Sequence, residues 1–577
     1  MEPAQPFNRA LRETLGVAVV TVLGAALRLW PPGRFGLSHF DEGIYAMVGA
    51  WAQVPGGLAA LDPMLIPYAP PGFPISIGLV SLLIGPTDLS AMAVSVMAGT
   101  LTIPLIAYLG RRIFGPGVGL TSAVFCALSG PHLAFSRIAL TDASFLLAWL
   151  VAMVVSIRFL ERPGPVRALG LGLSVGLAQQ FKYNGWLTSG IVLGSAFLGI
   201  LLRREDRRPA AMARVFGWGL VAAGVAWLVV WPWFRFVEDH GGYSALLRHQ
   251  RSYLGGFETW WPHLKVQSEQ AVALSGGRPL ILFTLVMAGI ARWRMSPPDD
   301  PPESTIRRVC TVCFGPLVAW VFLDAPYWLG LIMAPWLLDS REVGPRVLGV
   351  WWLILSVITP FYHPYARLWL PLEALNWILI GWLVVRGIPT IRAASRIFGR
   401  KGERPWFRHP PLIYVLATLA IGVYLTRTTA SRAEILPGLL DPSDSLRRAS
   451  AQVGARLPED VAGLRLLVRP PVTYYLSGRI ALYPMAGSDG LLIPSDPRLW
   501  ALVDSTILRS EAGQTSDRSA VRLLARFADR WELVEEFPST MTLPTLLDLD
   551  PAAARSASPD RSAPLWLLRP RRPGTAP

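Results

Sequence analysis

The sequence predicts a mostly α-helical, polytopic membrane protein: a bundle of about 13 spans over 1–430, followed by a small extracytoplasmic α/β domain over 431–577. Three observations predict it. Of the 577 residues, 52% are hydrophobic and only 16% charged, against roughly 25% charged in soluble domains. Apolar runs of bilayer-crossing length recur from the N-terminus onward, and the mean hydropathy is +0.40; such runs read as membrane helices. From about residue 428 the runs shorten and polar residues rise.

The first run, 13–30, has no small-residue cleavage site after it and reads as a retained helix. Further spans follow at 88–110, 117–131, 142–160, 166–180, 185–201, 213–234, 278–292, 309–322, 326–338, 347–360, 368–386 and 412–427. The apolar stretch 74–86 is too short for a span and reads as re-entrant or interfacial. Arginines test this order. Arg111 and Arg112 share one loop, Arg203 to Arg214 a second, Arg292 to Arg308 a third and Arg386 to Arg408 a fourth. All four fall on one side, which the positive-inside rule makes cytoplasmic. The N-terminus is then cytoplasmic and the C-terminal domain lies outside a plasma (inner) membrane. The same placement explains the net charge of +15 without any nucleic acid partner. Cys126, Cys310 and Cys313 make no disulfide framework. The Cys310–Cys313 spacing is metal-like, but it opens an apolar run and reads as membrane-helix thiols.

Past the last span, "DSLRRASAQVGARL" has the pattern of an amphipathic helix, and "LRLLV", "RIALYP", "WELVEEF" and "PLWLLRP" that of short strands. The segment 550–563 reads as a flexible loop.

Five segments share the outer face: 31–73, 132–141, 181–184, 235–277 and 361–367. They carry most of the polar chemistry of the first 430 residues. Asp41 and Glu42 stand together in "LSHFDEGIYA", with His39 beside them. They serve either as the acidic first turn of a short helix that Ser38 caps, or as carboxylates that deprotonate an acceptor hydroxyl. A divalent cation is a further partner for such a pair. In "SRIALTD", Asp142 reads as a helix cap, but Arg137 is an outer cation that topology disfavours. Lys182 and Tyr183 end an apolar helix in "QQFKYNGW", and Tyr365 and Arg367 begin another in "YHPYARLWLP". Singly, each cation is a snorkelling anchor. Together, three outer cations face an acidic pair, as binding of a phosphate at a membrane surface requires. Tyr68 opens a rigid turn, "YAPPGFP". Many of the 23 tryptophans sit near this face, as an interfacial belt does. The outer histidines show no convincing metal-ligand spacing. The segment 235–277 is long enough for a lid or an acceptor-binding loop.

"HFDEGIYA", "SRIALTD", "FKYNGW", "VVWPWF" and "YHPYARLWLP", in this order, resemble the GT-C glycosyltransferases that use polyprenyl-phosphate sugars. The likeness is to the group holding the protein O-mannosyltransferases and the lipid A aminoarabinose transferase. It implies a polyprenyl-phosphate-linked sugar donor, no nucleotide, and an inverting transfer to a lipid, glycan or protein acceptor. It also implies Asp41 and Glu42 as catalytic and Arg137, Lys182 and Arg367 as donor-phosphate ligands. Their neighbours on the outer face, His39, Asp142, Tyr183, Tyr365 and Tyr68, are the substrate-pocket candidates. One departure stands out. Many relatives carry a lysine before the double proline, where this chain has Ala69, so one phosphate contact is missing or comes from elsewhere. Two rivals come from other classes. A transporter or flippase calls for polar or broken helices at mid-membrane, whereas these charges gather at one face. A membrane-anchored binding module leaves the recurrence of outer cations unexplained.

Overall fold

A computed structural model of the chain describes residues 6–50, 69–202, 208–274, 326–387, 442–484, 496–507, 530–556 and 560–571. Among these residues, seven helices are long and apolar enough to cross a membrane, or eight if one bent pair counts as a single span. The expected spans 278–292, 309–322 and 412–427, Cys310, Cys313, Tyr68 and the 430/431 boundary lie outside the described residues.

The first helix, α1 (Pro6–Arg28), packs on α4 (Asp88–Phe114) and α5 (Val118–Leu128). Between them the chain forms α2 (Phe40–Gly49) and α3 (Gly72–Ile84). With 13 residues, α3 rises only about 20 Å, so the short apolar stretch makes a helix that stops within the bilayer's thickness. The start of α4 is set by Thr87 and Ser90, which exchange capping bonds, and its end by Gly115 at φ 90°, a conformation open to glycine. The expected span 117–131 is broken. A 60° bend separates α5 from α6 (Gly130–Ser136). Pro131 sits in the first turn of α6, where its missing N–H is harmless but where it cannot continue the helix before it.

Next come α7 (Thr141–Glu161), α8 (Pro165–Phe181), α9 (Leu187–Leu201) and α10 (Arg208–Asp239). The described part of the stretch 235–277, residues 235–274, is not an open loop. It continues α10 and then forms α11 (Gly242–Arg251) and α12 (Phe257–Leu274). The bundle closes with α13 (Pro326–Leu338), α14 (Val343–Ile358) and α15 (Leu370–Trp382). Burial sorts the helices. α7 and α15 run through the centre, whereas α1 and α10 have most of their apolar surface outward. Val22, Leu220 and Leu228 are examples of that outward surface. Apolar side chains facing outward on a membrane helix suit lipid.

The C-terminal domain has α16 (Ser445–Arg456), β1 (Gly463–Leu467), α17 (Pro470–Leu476), β2 (Leu482–Pro484), β3 (Leu499–Asp504), β4 (Trp531–Phe537), α18 (Leu543–Leu549) and β5 (Leu565–Pro570). The sheet order is β2-β1-β3-β5-β4. β1 pairs in parallel with β2 and β3, and β5 pairs antiparallel to β3 and β4. Helices α16 and α17 cover one face through Leu446, Val453, Val472 and Leu476. The segment expected as a flexible loop begins with a 3₁₀ turn, Pro551–Arg555, and Thr540 bridges Ser562 at its end.

The domain is seated on the loop before α2. Leu37 N–H donates to the Tyr475 hydroxyl (2.6 Å), Gly36 N–H donates to Ser443 Oγ (3.0 Å), and Arg469 Nη1 donates to the Ser38 carbonyl (2.8 Å). Gly43 lies against the Pro470–Pro471 bond, where a Cβ would come within 2.2 Å of Pro471 N.

Candidate active site

A cavity of ≈ 510 Å³ lies between the bundle and the C-terminal domain. Its lining comes from α2, the turn after α8, α11, the segment before α15, and α18.

Asp41 is placed by a local device. His39 is the N-cap of α2, and its Nδ1 accepts from Asp41 N–H (3.0 Å). Three residues on, Glu42 reaches back with Oε2 to the His39 N–H (2.6 Å) and the Ser38 N–H (2.7 Å). This is a capping box, with histidine rather than the expected Ser38 as the cap. Glu42 Oε1 accepts from Ala139 N–H (2.6 Å) in the "SRIALTD" loop. Glu42 is fully buried and does not line the cavity. Burial pushes its carboxyl above the ordinary range, against the pull of three N–H donors. The two adjacent carboxylates therefore part company: Asp41 faces the cavity, and Glu42 pins two loops together.

Around Asp41 the charges form a connected set. Arg367 Nη1 donates to Asp41 Oδ2 (3.0 Å), and its Nε lies 3.2 Å from Asp548 Oδ2. The same Asp548 oxygen accepts from His39 Nε2 (2.8 Å). Burial works against a charged Asp548, but the guanidinium of Arg367 and the His39 contact prevail and hold its carboxyl below the usual value. Burial also opposes charge on His39, and Asp548 and Asp41 raise its pKa in spite of it. While the cap at Nδ1 holds, the ring proton sits on Nε2, facing Asp548. Arg367 lies 4.8 Å over the Tyr365 ring, a cation–π contact.

Lys182 lies where α8 ends. Its backbone is extended, φ −158°, and a 3₁₀ turn, Tyr183–Trp186, follows. Gly185 backs directly onto Ala178, where a Cβ would lie 2.4 Å from the carbonyl carbon; only glycine allows this turn. Lys182 Nζ bonds Asp142 Oδ1 (2.5 Å), and Asp142 is buried behind it. Asp142 does not cap α7, whose N-cap Leu140 has no side-chain bond. It is the counter-charge of the lysine.

A third wall is aromatic. The segment Thr359–Ala366 lies along 253–255, with Gly255 N–H donating to the Phe361 carbonyl and His363 N–H to the Tyr253 carbonyl (both 2.7 Å). Tyr253 stacks on Tyr362 at 5.8 Å and lies 6.2 Å from Tyr365. Burial raises the Tyr362 phenol to about 12 and also raises Tyr365, so both are neutral at physiological pH. Burial lowers the pKa of His363, and the neighbouring His263 adds to this.

Residues 68–234 match a family profile described as dolichyl-phosphate-mannose-protein mannosyltransferase. The structure as a whole superposes on ArnT from Cupriavidus metallidurans in the apo state with a TM-score of 0.51 and 15% identity, covering 96% of this chain and 97% of that one. The chain is GT-C in fold. The same ArnT bound to undecaprenyl phosphate gives a TM-score of 0.48 at 14% identity, covering 96% and 97%. The Archaeoglobus fulgidus oligosaccharyltransferase, in complex with Zn and sulfate, gives 0.48 at 13%, covering 89% of this chain and 67% of that one. No curated protein sequence matches.

The GT-C bundle brings His39, Asp41, Lys182, Tyr183, Tyr365 and Arg367 to one cavity. Arg137 is not among its lining. It is buried nearby, its guanidinium 5.7 Å from the Phe35 ring. Ala69, in the place of the relatives' lysine, does line the cavity and brings no charge there. Among the described residues, no group of three or more His, Cys, Asp and Glu side chains is placed to hold a metal ion. Residues that sequence reasoning missed are Asp548, Arg469 and Thr545 of the C-terminal domain, and Tyr45, Tyr253 and Tyr362 of the GT-C bundle. The tyrosines lay in segments already assigned to the outer face. Asp548 lies in a segment to which sequence reasoning assigned no role.

Proposed function

We propose that this protein moves a sugar from a polyprenyl-phosphate carrier to a lipid, glycan or protein acceptor at the extracytoplasmic face of the plasma membrane, with inversion at the anomeric carbon. One observation carries the reading: a carboxylate, Asp41, and two cations, Lys182 and Arg367, line a single cavity at the bundle's junction with the C-terminal domain. The polyprenyl tail lies in the bilayer beside the bundle and presents its phosphate to Lys182 and Arg367. Asp41 takes the proton from the acceptor hydroxyl as its oxygen attacks the anomeric carbon. The bond from that carbon to the phosphate oxygen breaks, and polyprenyl phosphate leaves with the electron pair. Cations fixed at that point stabilise the leaving charge. Arg367 has a double duty. Its Nη1 bonds Asp41, so a phosphate that engages the guanidinium competes for this donor and frees Asp41 as a base. The neutral tyrosine wall suits the apolar face of a sugar ring.

The test uses purified protein in lipid, a panel of polyprenyl-phosphate sugars, and a crude envelope extract as acceptor, with released polyprenyl phosphate as the signal. Wild-type release with a ~10²–10⁴-fold loss in Asp41→Asn is the expected result for a general base. Undiminished release in Asp41→Asn removes Asp41 from the mechanism. No release with any donor from folded protein sinks the reading.

A further inference from the structure

We propose that Asp548, on α18 of the C-terminal domain, is a positioning residue of the active site: it orients Arg367 and His39 around Asp41, so that transfer depends on the docked C-terminal domain. The proposal rests on the functional reading above.

The geometry is specific. A single oxygen, Asp548 Oδ2, meets Arg367 Nε at 3.2 Å and His39 Nε2 at 2.8 Å. Arg367 meets Asp41 through Nη1, and His39 meets the Asp41 backbone through Nδ1. The four residues thus close a ring in which Asp548 is the only member from outside the bundle. The guanidinium is planar, so fixing Nε fixes where Nη1 points. Asp548 therefore sets the direction from which Arg367 approaches Asp41 and any phosphate.

Its own position is well determined. The Asp548 side chain is buried, 6% exposed. Thr542 caps α18 by accepting from Thr545 N–H. Both threonines reach Ser38 Oγ, Thr542 through N–H at 3.4 Å and Thr545 through its hydroxyl at 3.5 Å. Arg469 is held by Asp504 (2.6 Å) while it bonds the Ser38 carbonyl. The loop that leads into Asp41 is thus clasped by the domain that carries Asp548.

The experiment is the release assay on the full-length protein, with kcat and donor KM for wild type, Asp548→Asn and Asp548→Glu. Thermal unfolding serves as the folding control. The expected result for Asp548→Asn, in protein that the control shows folded, is a kcat loss of about 100-fold with a donor KM within about threefold. Asp548→Glu keeps the charge but misplaces it, and should recover kcat to about tenfold below wild type. A purely structural defect raises KM along with the loss of rate and is not rescued by Asp548→Glu; that pattern overturns the proposal, as does wild-type kcat in Asp548→Asn. If Asp548→Asn does not fold, Asp548→Glu decides. Its longer side chain displaces the carboxylate, so a kcat loss of about tenfold at unchanged KM supports the proposal, and wild-type kcat overturns it. If the wild type itself releases nothing, the functional reading falls and this proposal with it. Turnover at the wild-type rate in Asp548→Asn defeats this proposal alone.

Discussion

At the scale of single residues, Asp41 and Glu42 show how neighbours diverge. In the first turn of a helix, successive side chains point about 100° apart. One carboxylate therefore faces the cavity while the next turns inward onto backbone N–H groups. The inward position predicts a stability phenotype. Glu42→Ala leaves three buried N–H donors without their acceptor, at roughly 1–3 kcal/mol each. We expect a marked fall in melting temperature and folded yield, against little change in either for Asp41→Asn. Equal melting temperatures would contradict this assignment. Arg367 predicts a different phenotype. Arg367→Lys keeps the charge but cannot hold the Asp41 hydrogen bond and the Asp548 ion pair from two fixed nitrogens. Release should drop at least ~10-fold with the fold intact, since the lost charge-assisted bond to Asp41 is worth about 1.5–3 kcal/mol. Wild-type turnover in this variant would show that charge alone suffices.

At the scale of elements, the site depends on helices that end early. α5 gives way to α6 at a proline, α8 breaks at Lys182, and α14 dissolves into 3₁₀ turns before α15. The second and third breaks turn Lys182, Tyr365 and Arg367 toward the cavity, and the loop after α6 is tied to Glu42 through Ala139 N–H. The contact of α2 with α17 has no room to spare, because Gly43 meets Pro471. Gly43→Ala should loosen the C-terminal domain without unfolding the bundle. Limited proteolysis would then cut the variant between bundle and domain sooner than the wild type, with release reduced about tenfold or more, as overpacking by 1–3 kcal/mol allows. Equal cleavage rates would argue that the contact tolerates a methyl group.

At the scale of the whole molecule, the bundle and the C-terminal domain hold the site between them. The ends of α4 report the orientation. Asp88 pairs with Arg447 of the C-terminal domain, while Arg111 and Arg112 lie at the other end. If the basic end is cytoplasmic, a cysteine replacing exposed Arg456 will react with an impermeant maleimide in intact cells. One replacing Arg111 will react only after permeabilisation, and the reverse pattern would invert the protein. The lipid-facing helix α10 gives a second test. Leu228→Arg introduces a charge on outward surface, at a cost of about 2.5–3.5 kcal/mol for a mid-membrane position. Folded yield should fall well below that of Leu228→Ala.

The sequence alone determined the membrane class, the C-terminal α/β domain, and which short motifs carry the polar chemistry. These follow from local quantities: hydropathy summed over a span, period-2 runs in the strands, and arginine asymmetry between loops. Asp41, Lys182 and Arg367 were legible because each is a polar residue at the edge of an apolar run. Only the tertiary structure decided the rest. Whether a carboxylate at position 41 or 42 meets the cavity depends on the helix phase that His39 sets as the cap. The separation of Arg137 from the cavity depends on the bend at Pro131 and on how the "SRIALTD" loop is tied to Glu42. Asp548 was invisible because its meaning comes from residues 509 positions away in the chain. A charge acts through space over a few ångströms, and no local pattern encodes which distant segment folding brings that close.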